Sequence, residues 1–116
     1  VSGLPTDRFL FVGFLPPRSG ARRRALEELA RERPTLVLYE SPVRVVDCLA
    51  DMAELLGDRD AFLCREATKL HEEYLRGRLL WIRGVLAERP AIKGEIVLVV
   101  AGASPEKRAS ALPASG

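Results

Sequence analysis

The sequence predicts an α/β domain in which strands and helices alternate, and three observations carry that expectation. Two short runs, Thr35–Tyr39 and Glu95–Ala101, are apolar, β-branched and too brief for helices, the signature of buried strands. Two other segments, Gly20–Arg33 and Val45–Leu56, place apolar residues at the 3.6-residue helical period. Finally, 116 residues are one domain's worth of chain, so both patterns serve a single core. Strands that alternate with helices make a layered α/β sandwich rather than an all-β or all-α core.

Taken in order, Arg8–Leu15 is aromatic and β-branched enough for a first strand, which Pro16 and Pro17 end. In Gly20–Arg33 the residues Ala21, Ala25, Leu26, Leu29 and Ala30 form a narrow apolar stripe among Arg and Glu, a surface helix closed by Pro34. Thr35–Tyr39, continuously apolar, is expected to be a central strand covered on both faces. Ser41 and Pro42 are the residue types of a helix N-cap and first helical position. Val45, Val46, Leu49, Met52, Ala53 and Leu56 then hold the helical period until Gly57 supplies the residue beyond the end. Ala61–Arg65 predicts a third strand, Tyr74–Arg78 a fourth, Leu79–Glu88 a third helix and Glu95–Ala101 a fifth strand, giving β-α-β-α-β-β-α-β. Residues 104–116 carry too little apolar surface to order themselves and are expected to be a tail.

Composition narrows the function classes. Hydrophobic residues at 47% and charged residues at 29% are ordinary for a globular chain and exclude disordered, collagen-like and coiled-coil classes. No apolar run approaches the roughly 18 residues of a membrane span, and no signal-peptide core is present, so a soluble cytoplasmic protein without a membrane partner is expected. A chain that starts Val1-Ser2-Gly3 reads as a piece of a longer protein. The net charge of +2, from 18 basic and 16 acidic residues, makes no global case for nucleic acid. Any such case is local. Cys48 and Cys64 lack a C-x-x-C spacing and read as buried, reduced thiols.

Four polar segments stand out from ordinary connectors. Gly3–Phe9 packs a turn former, Thr6, Asp7 and Arg8 ahead of the first strand, as a hinge or a plain linker. Tyr39-Glu40-Ser41-Pro42 stands at the carboxyl end of a strand and the start of a helix, where open α/β sheets bind ligands, although capping alone explains Ser41. Arg65–Glu73 holds the only histidine, His71, among charged side chains. A His beside Glu suits proton transfer, but a lone His fits no zinc pattern, so no metal is expected. Arg18, Arg22, Arg23, Arg24, Arg31 and Arg33 surround the first helix with only Glu27, Glu28 and Glu32 nearby in sequence. They read either as a salt-bridged face or as contacts to a phosphate backbone, with Arg22, Arg23 and Arg24 the candidates. Glycine-rich phosphate loops and nucleophile elbows are absent from the sequence.

Gly3-Leu4-Pro5-Thr6-Asp7-Arg8-Phe9, Gly13-Phe14-Leu15-Pro16, Tyr39-Glu40-Ser41-Pro42, Thr68-Lys69-Leu70-His71-Glu72-Glu73, Arg76-Gly77 and Lys93-Gly94-Glu95-Ile96-Val97 occur in this order. Together, over residues 1 to about 103, they resemble the C-terminal half of the bacterial small-subunit ribosomal RNA methyltransferase I family, within the tetrapyrrole methylase superfamily. The resemblance implies a layered sandwich with a mixed sheet of about five strands and flanking helices. It implies an S-adenosylmethionine-dependent enzyme that methylates a cytidine ribose 2′-hydroxyl in small-subunit ribosomal RNA. Residues 1–103 are then a C-terminal domain, preceded by an N-terminal domain carrying the glycine-rich cofactor loop, and inactive alone.

Residue by residue, the resemblance implies that Thr6, Asp7 and Arg8 form the hinge and that Glu40, Ser41 and Pro42 face the cofactor cleft. Gly102 and Ala103 border the adenosine, and Thr68–Glu73, with Lys69 and His71, lies where RNA enters. A homodimer is also implied. Val43 departs from the family's usual His, and Ala101 from a frequent Glu, and no residue of this half is assigned as the catalytic base. Two rivals remain at this level: a methylase of small tetrapyrroles and a non-catalytic α/β interaction module.

Overall fold

Alternation along each strand decides which side of the sheet is buried. Leu36 and Leu38, Ala61 and Leu63, and Ile96, Leu98 and Val100 are buried at every second position, so three neighbouring strands turn one apolar face inward. The computed structural model describes residues 8–68 and 71–103. Its elements are β1 (Phe9–Phe14), α1 (Ser19–Leu29), β2 (Thr35–Glu40), α2 (Val45–Leu56), β3 (Asp60–Thr68), β4 (His71–Arg78), α3 (Leu79–Ala87) and β5 (Glu95–Val100). This is the expected β-α-β-α-β-β-α-β order.

The five strands form one mixed sheet in the order β1-β2-β5-β3-β4. β1 and β2 run parallel, joined across α1, and every other neighbouring pair is antiparallel. β2 is thus an inner strand and β5 the central one. α2 packs against both α1 and α3, and all three helices contribute to a single apolar cluster over the inward sheet face. Leu26 of α1, Leu49 and Met52 of α2, and Ile82 and Leu86 of α3 are fully buried there. None of the described helices is long and apolar enough to cross a membrane.

Several local expectations are corrected. β2 is covered on one face only: Leu36, Leu38 and Glu40 point into the core, whereas Tyr39 is exposed on the other side. Helix α2 starts at Val45 rather than after Ser41, because residues 41–44 form a separate turn closed by the Arg44 amide donating to the Ser41 carbonyl at 3.0 Å. Gly57, at φ +94°, does end that helix. The stretch Arg65–Glu73 is no loop: β3 extends to Thr68 and β4 begins at His71, forming a two-stranded extension of the sheet. Lys69, Leu70, the hinge residues Thr6 and Asp7 and the expected tail at 104–116 lie outside the described residues.

Candidate functional site at the two ends of the sheet

β1, β2 and β3 finish at one end of the sheet, where β4 and β5 begin; this is called the upper end. Cross-strand register lines up Glu40, Ile96, Arg65 and Glu73 in one row there, across β2, β5, β3 and β4. Gly13–Pro16, Tyr39–Pro42, the start of β4 and Lys93–Ile96 therefore converge, although they are far apart in sequence. A β-bulge between Phe11 and Gly13, with Gly13 at φ +78°, shifts the last part of β1 by one residue. That bulge sets Phe14 beside Tyr39, with ring centroids 5.5 Å apart, while Leu15 turns into the core.

At the upper end Glu40 is a buried carboxylate that organises the β2–α2 turn. Its Oε1 accepts the Ser41 amide at 2.6 Å, and the Arg44 guanidinium stands 3.8 Å away. Beneath it the fully buried Cys48 thiol hydrogen-bonds to the same carboxylate; burial first, then the Glu40 charge, push that thiol well above its ordinary range. Cys48 is therefore an inert donor rather than a nucleophile. Ser41 Oγ accepts the Val43 amide at 3.2 Å, so the Ser-Pro pair shapes the turn. Val43 itself is exposed.

A second cluster holds the β3–β4 extension in place. Glu73 receives both terminal nitrogens of Arg89, one of them at 2.6 Å, and Arg65 Nε at 3.0 Å, while Arg65 Nη1 reaches the Lys93 carbonyl at 2.8 Å. Arg89, and to a lesser degree Arg65, hold the Glu73 carboxyl down at about 2 against an opposing burial effect. A carboxylate depressed in the fold stabilises it above its ordinary value of 4.5, and that contribution is lost as pH falls toward about 2. The clamp ties β4, β3, the end of α3 and the approach to β5 into one unit.

Gly102 and Ala103 occupy the opposite, lower end. The Ala103 amide donates to the Glu32 carbonyl at 2.8 Å and the Thr35 amide to the Arg8 carbonyl at 3.1 Å, so the exit from β5, the α1–β2 turn and the entry to β1 lie together. Arg59 joins three elements there, donating to the carbonyls of Leu56, Ala101 and Ala30 at 2.8, 3.1 and 2.8 Å. The whole of β2 separates this end from Ser41, roughly 20 Å at about 3.3 Å per residue. Within this chain, then, Glu40–Pro42 and Gly102–Ala103 stand at opposite ends of β2 and β5 rather than side by side. The side-chain position of Gly102 is filled by backbone of Arg33 and Pro34.

The arginine segment is also re-read. Arg22 is buried, with Nε 2.8 Å from Asp51 and Nη1 3.1 Å from the Pro17 carbonyl. Arg23 pairs with Asp51 at 2.9 Å and Glu54 at 2.7 Å. Acids on α2, absent from any reckoning along α1, neutralise both guanidinium groups. Only Arg24 of the three is exposed. Among the described residues no group of three His, Cys, Asp or Glu side chains is placed to hold a metal ion. Sequence reasoning missed the Glu73 clamp and the Arg59 staple, whose partners lie on other elements and leave no local signal.

No protein-family model matches the chain. The curated protein named ribosomal RNA small subunit methyltransferase I from Mycobacterium tuberculosis (strain CDC 1551 / Oshkosh) is 48% identical over 117 residues, 97% of this chain and 39% of its own length. Its namesake from Halalkalibacterium halodurans is 49% identical over 105 residues, 87% of this chain and 35% of its own. That from Thermotoga maritima is 42% identical over 102 residues, 88% of this chain and 45% of its own. A solved structure of a cobalt precorrin-4 methyltransferase superposes with a TM-score of 0.58 at 15% identity, over 83% of this chain and 42% of that one, and shares the fold. The chain thus spans less than half the length of these relatives. With nearly half its residues identical across almost its full length, the chain belongs to the ribosomal RNA small subunit methyltransferase I family.

Proposed function

We propose that this chain is the C-terminal domain of an S-adenosylmethionine-dependent methyltransferase that modifies a cytidine ribose 2′-hydroxyl in small-subunit ribosomal RNA. One observation supports the reading above others: segments scattered from Gly13 to Ile96 gather at the upper end of the sheet, beyond what the core requires. The cofactor, when bound, supplies an activated methyl group. This chain's own contribution is positioning, since holding reactants in register can account for much of a displacement's barrier.

The two ends take different parts. Arg8, where a preceding domain joins, lies beside Gly102 and Ala103, so the lower end is the wall that meets the rest of the protein and the cofactor. The upper end, with its Glu40-held turn and the Glu73-clamped β3–β4 extension, is the side assigned to RNA, with Ser41 and Pro42 there and Lys69 and His71 kept as proposed RNA contacts from the sequence. Arg24 remains available for phosphate, whereas Arg22 and Arg23 serve the α1–α2 contact. The test is to incubate the full-length protein with S-adenosylmethionine and small-subunit RNA and to map the methyl group. A 2′-O-methylcytidine is expected, and His71→Ala is expected to slow its formation. A methylated corrinoid with untouched RNA favours the tetrapyrrole reading; transfer to neither favours an interaction module.

A further inference from the structure

Along β2 the side chains that point into the core are Leu36, Leu38 and Glu40, so a carboxylate occupies the third place in an apolar row. Glu40 is 5% exposed, and taking a charge out of water is unfavourable unless something near it needs the charge. The turn itself does not. The Ser41 amide and the Cys48 thiol are neutral donors, and an uncharged amide side chain accepts both as well. A local rule broken at a core position points to function, and the group that requires the charge is Arg44, whose Nε stands 3.8 Å from Glu40 Oε1.

Arg44 is fixed at its root and free at its tip. Its amide donates to the Ser41 carbonyl at 3.0 Å and its carbonyl accepts the Cys48 amide at 2.9 Å, which locks the backbone between the turn and α2. The side chain is 40% exposed and makes no hydrogen bond among the described residues. At 3.8 Å the Glu40 contact is too long for a hydrogen bond, so it aims the guanidinium without consuming its five N–H donors. Asp47, exposed in the first turn of α2, forms no ion pair with it. Other arginines nearby are committed, Arg22 and Arg23 to acids of α2 and Arg65 to Glu73. An arginine fork matches paired phosphate oxygens, and a fork already steered loses less rotamer freedom on binding than a loose surface side chain. The exposed Arg18 and Lys93 stand at the same end, beyond β1 and before β5, the two neighbours of β2, so a phosphate chain that meets Arg44 finds a cation on either side. Resting on the RNA methyltransferase reading above, we infer that Arg44 contacts a phosphate of the RNA backbone and that the buried Glu40 is the positioning residue that aims it.

The experiment measures binding of small-subunit ribosomal RNA to the full-length protein over a series of salt concentrations, with the wild type, Arg44→Ala, Arg44→Lys, Glu40→Gln and the double variant Glu40→Gln/Arg44→Ala. The Arg44 side chain is half exposed, so its variants keep the fold, which circular dichroism checks. Arg44→Ala is expected to weaken binding about tenfold and to lower the slope of log affinity against log salt by about 0.7, the contribution of one phosphate on a single strand. Arg44→Lys keeps the charge, and with it the slope, but loses the fork and part of the affinity. Glu40→Gln is expected to weaken binding about threefold in the wild type and to change nothing in the Arg44→Ala background, because it acts only through Arg44. A carboxylate that serves the fold alone weakens both backgrounds alike, and one that only neutralises Arg44 strengthens binding when it is removed; either result overturns the positioning role. Unchanged affinity and slope in Arg44→Ala overturn the phosphate contact. So does a loss confined to S-adenosylmethionine affinity, which assigns the guanidinium to the cofactor's carboxylate. A wild type with no affinity for the RNA sinks the functional reading itself, and this contact with it.

Discussion

Gly102→Ala is expected to cost the domain about 3 kcal/mol or more, although it adds a single methyl group. A Cβ at this position sits 2.0 Å from the Arg33 carbonyl oxygen and 2.2 Å from that of Pro34. Both obstacles are backbone, and neither rotates away as a side chain does. Moving them disturbs the Ala103 amide bond to Glu32 and the entry to β2. Chemical denaturation of the wild type and the variant measures the effect as a shifted midpoint with an unchanged slope. A change within about 0.5 kcal/mol, the scale of ordinary surface substitutions, contradicts the packing described for the lower end. The glycine after β5 is thus explained first by close approach of two chain segments, and any loss of cofactor binding in such a variant has to be read through that.

The second large effect lies at the α1–α2 contact. Asp51→Ala removes the partner of Arg22, whose side chain is 7% exposed, and one of the two partners of Arg23. A buried charge left without its partner is typically destabilising by about 3 to 5 kcal/mol. Here the Pro17 carbonyl still accepts one Arg22 bond, so a loss of about 3 kcal/mol is expected. Replacing both ends, as Arg22→Met with Asp51→Leu, is expected to recover most of it, because the penalty belongs to the orphaned charge rather than to the missing attraction. Thermal or denaturant unfolding of the two forms provides the check. A single variant that loses less than about 1 kcal/mol shows that Arg22 is not committed to the fold and frees it for phosphate.

These two cases show what a sequence conveys and what it withholds. Periodicity gave β1, α1, β2, α2, α3 and β5 in order, because alternation and the 3.6-residue stripe are local consequences of a one-sided core. The extension of β3 and β4 through Glu66 and Glu73 was hidden: its side chains are charged on both faces, and the cross-strand pairing that makes it a strand is set by register. Ser41 followed by Pro42 has the composition of a helix start, yet Glu40 captures the Ser41 amide and the helix begins at Val45. The partners of Arg22 and Arg23 lie 28 to 31 residues away on α2, beyond any count of neighbouring acids. Tyr39 looked like part of a strand buried on both faces because aromatic residues there are as apolar as core residues; only the sheet shows which side lacks a cover.

The same limit applies to the site. Individual segments were legible as candidates, and their convergence at the upper end was not, since it follows from the order β1-β2-β5-β3-β4. Nor was the separation of Glu40–Pro42 from Gly102–Ala103, which the antiparallel pairing of β2 with β5 imposes: β5, which ends at Val100 and leads to Gly102, runs opposite to β2, which ends at Glu40.

The central claim is that this chain folds alone but supplies only one wall of a methyltransferase. The direct measurement is methyl transfer from S-adenosylmethionine into small-subunit RNA by residues 1–103, by the preceding part of the full-length protein, and by the two mixed. Residues 1–103 alone are expected to unfold cooperatively and to transfer nothing. If half a cofactor pocket is lost, a deficit of about 4 kcal/mol weakens binding about a thousandfold, so calorimetric titration of the isolated domain is expected to show little heat. Activity in the mixture alone is the result that supports the shared cleft. Micromolar cofactor affinity or methyl transfer by residues 1–103 without the other part contradicts it, because the chain then carries a complete site.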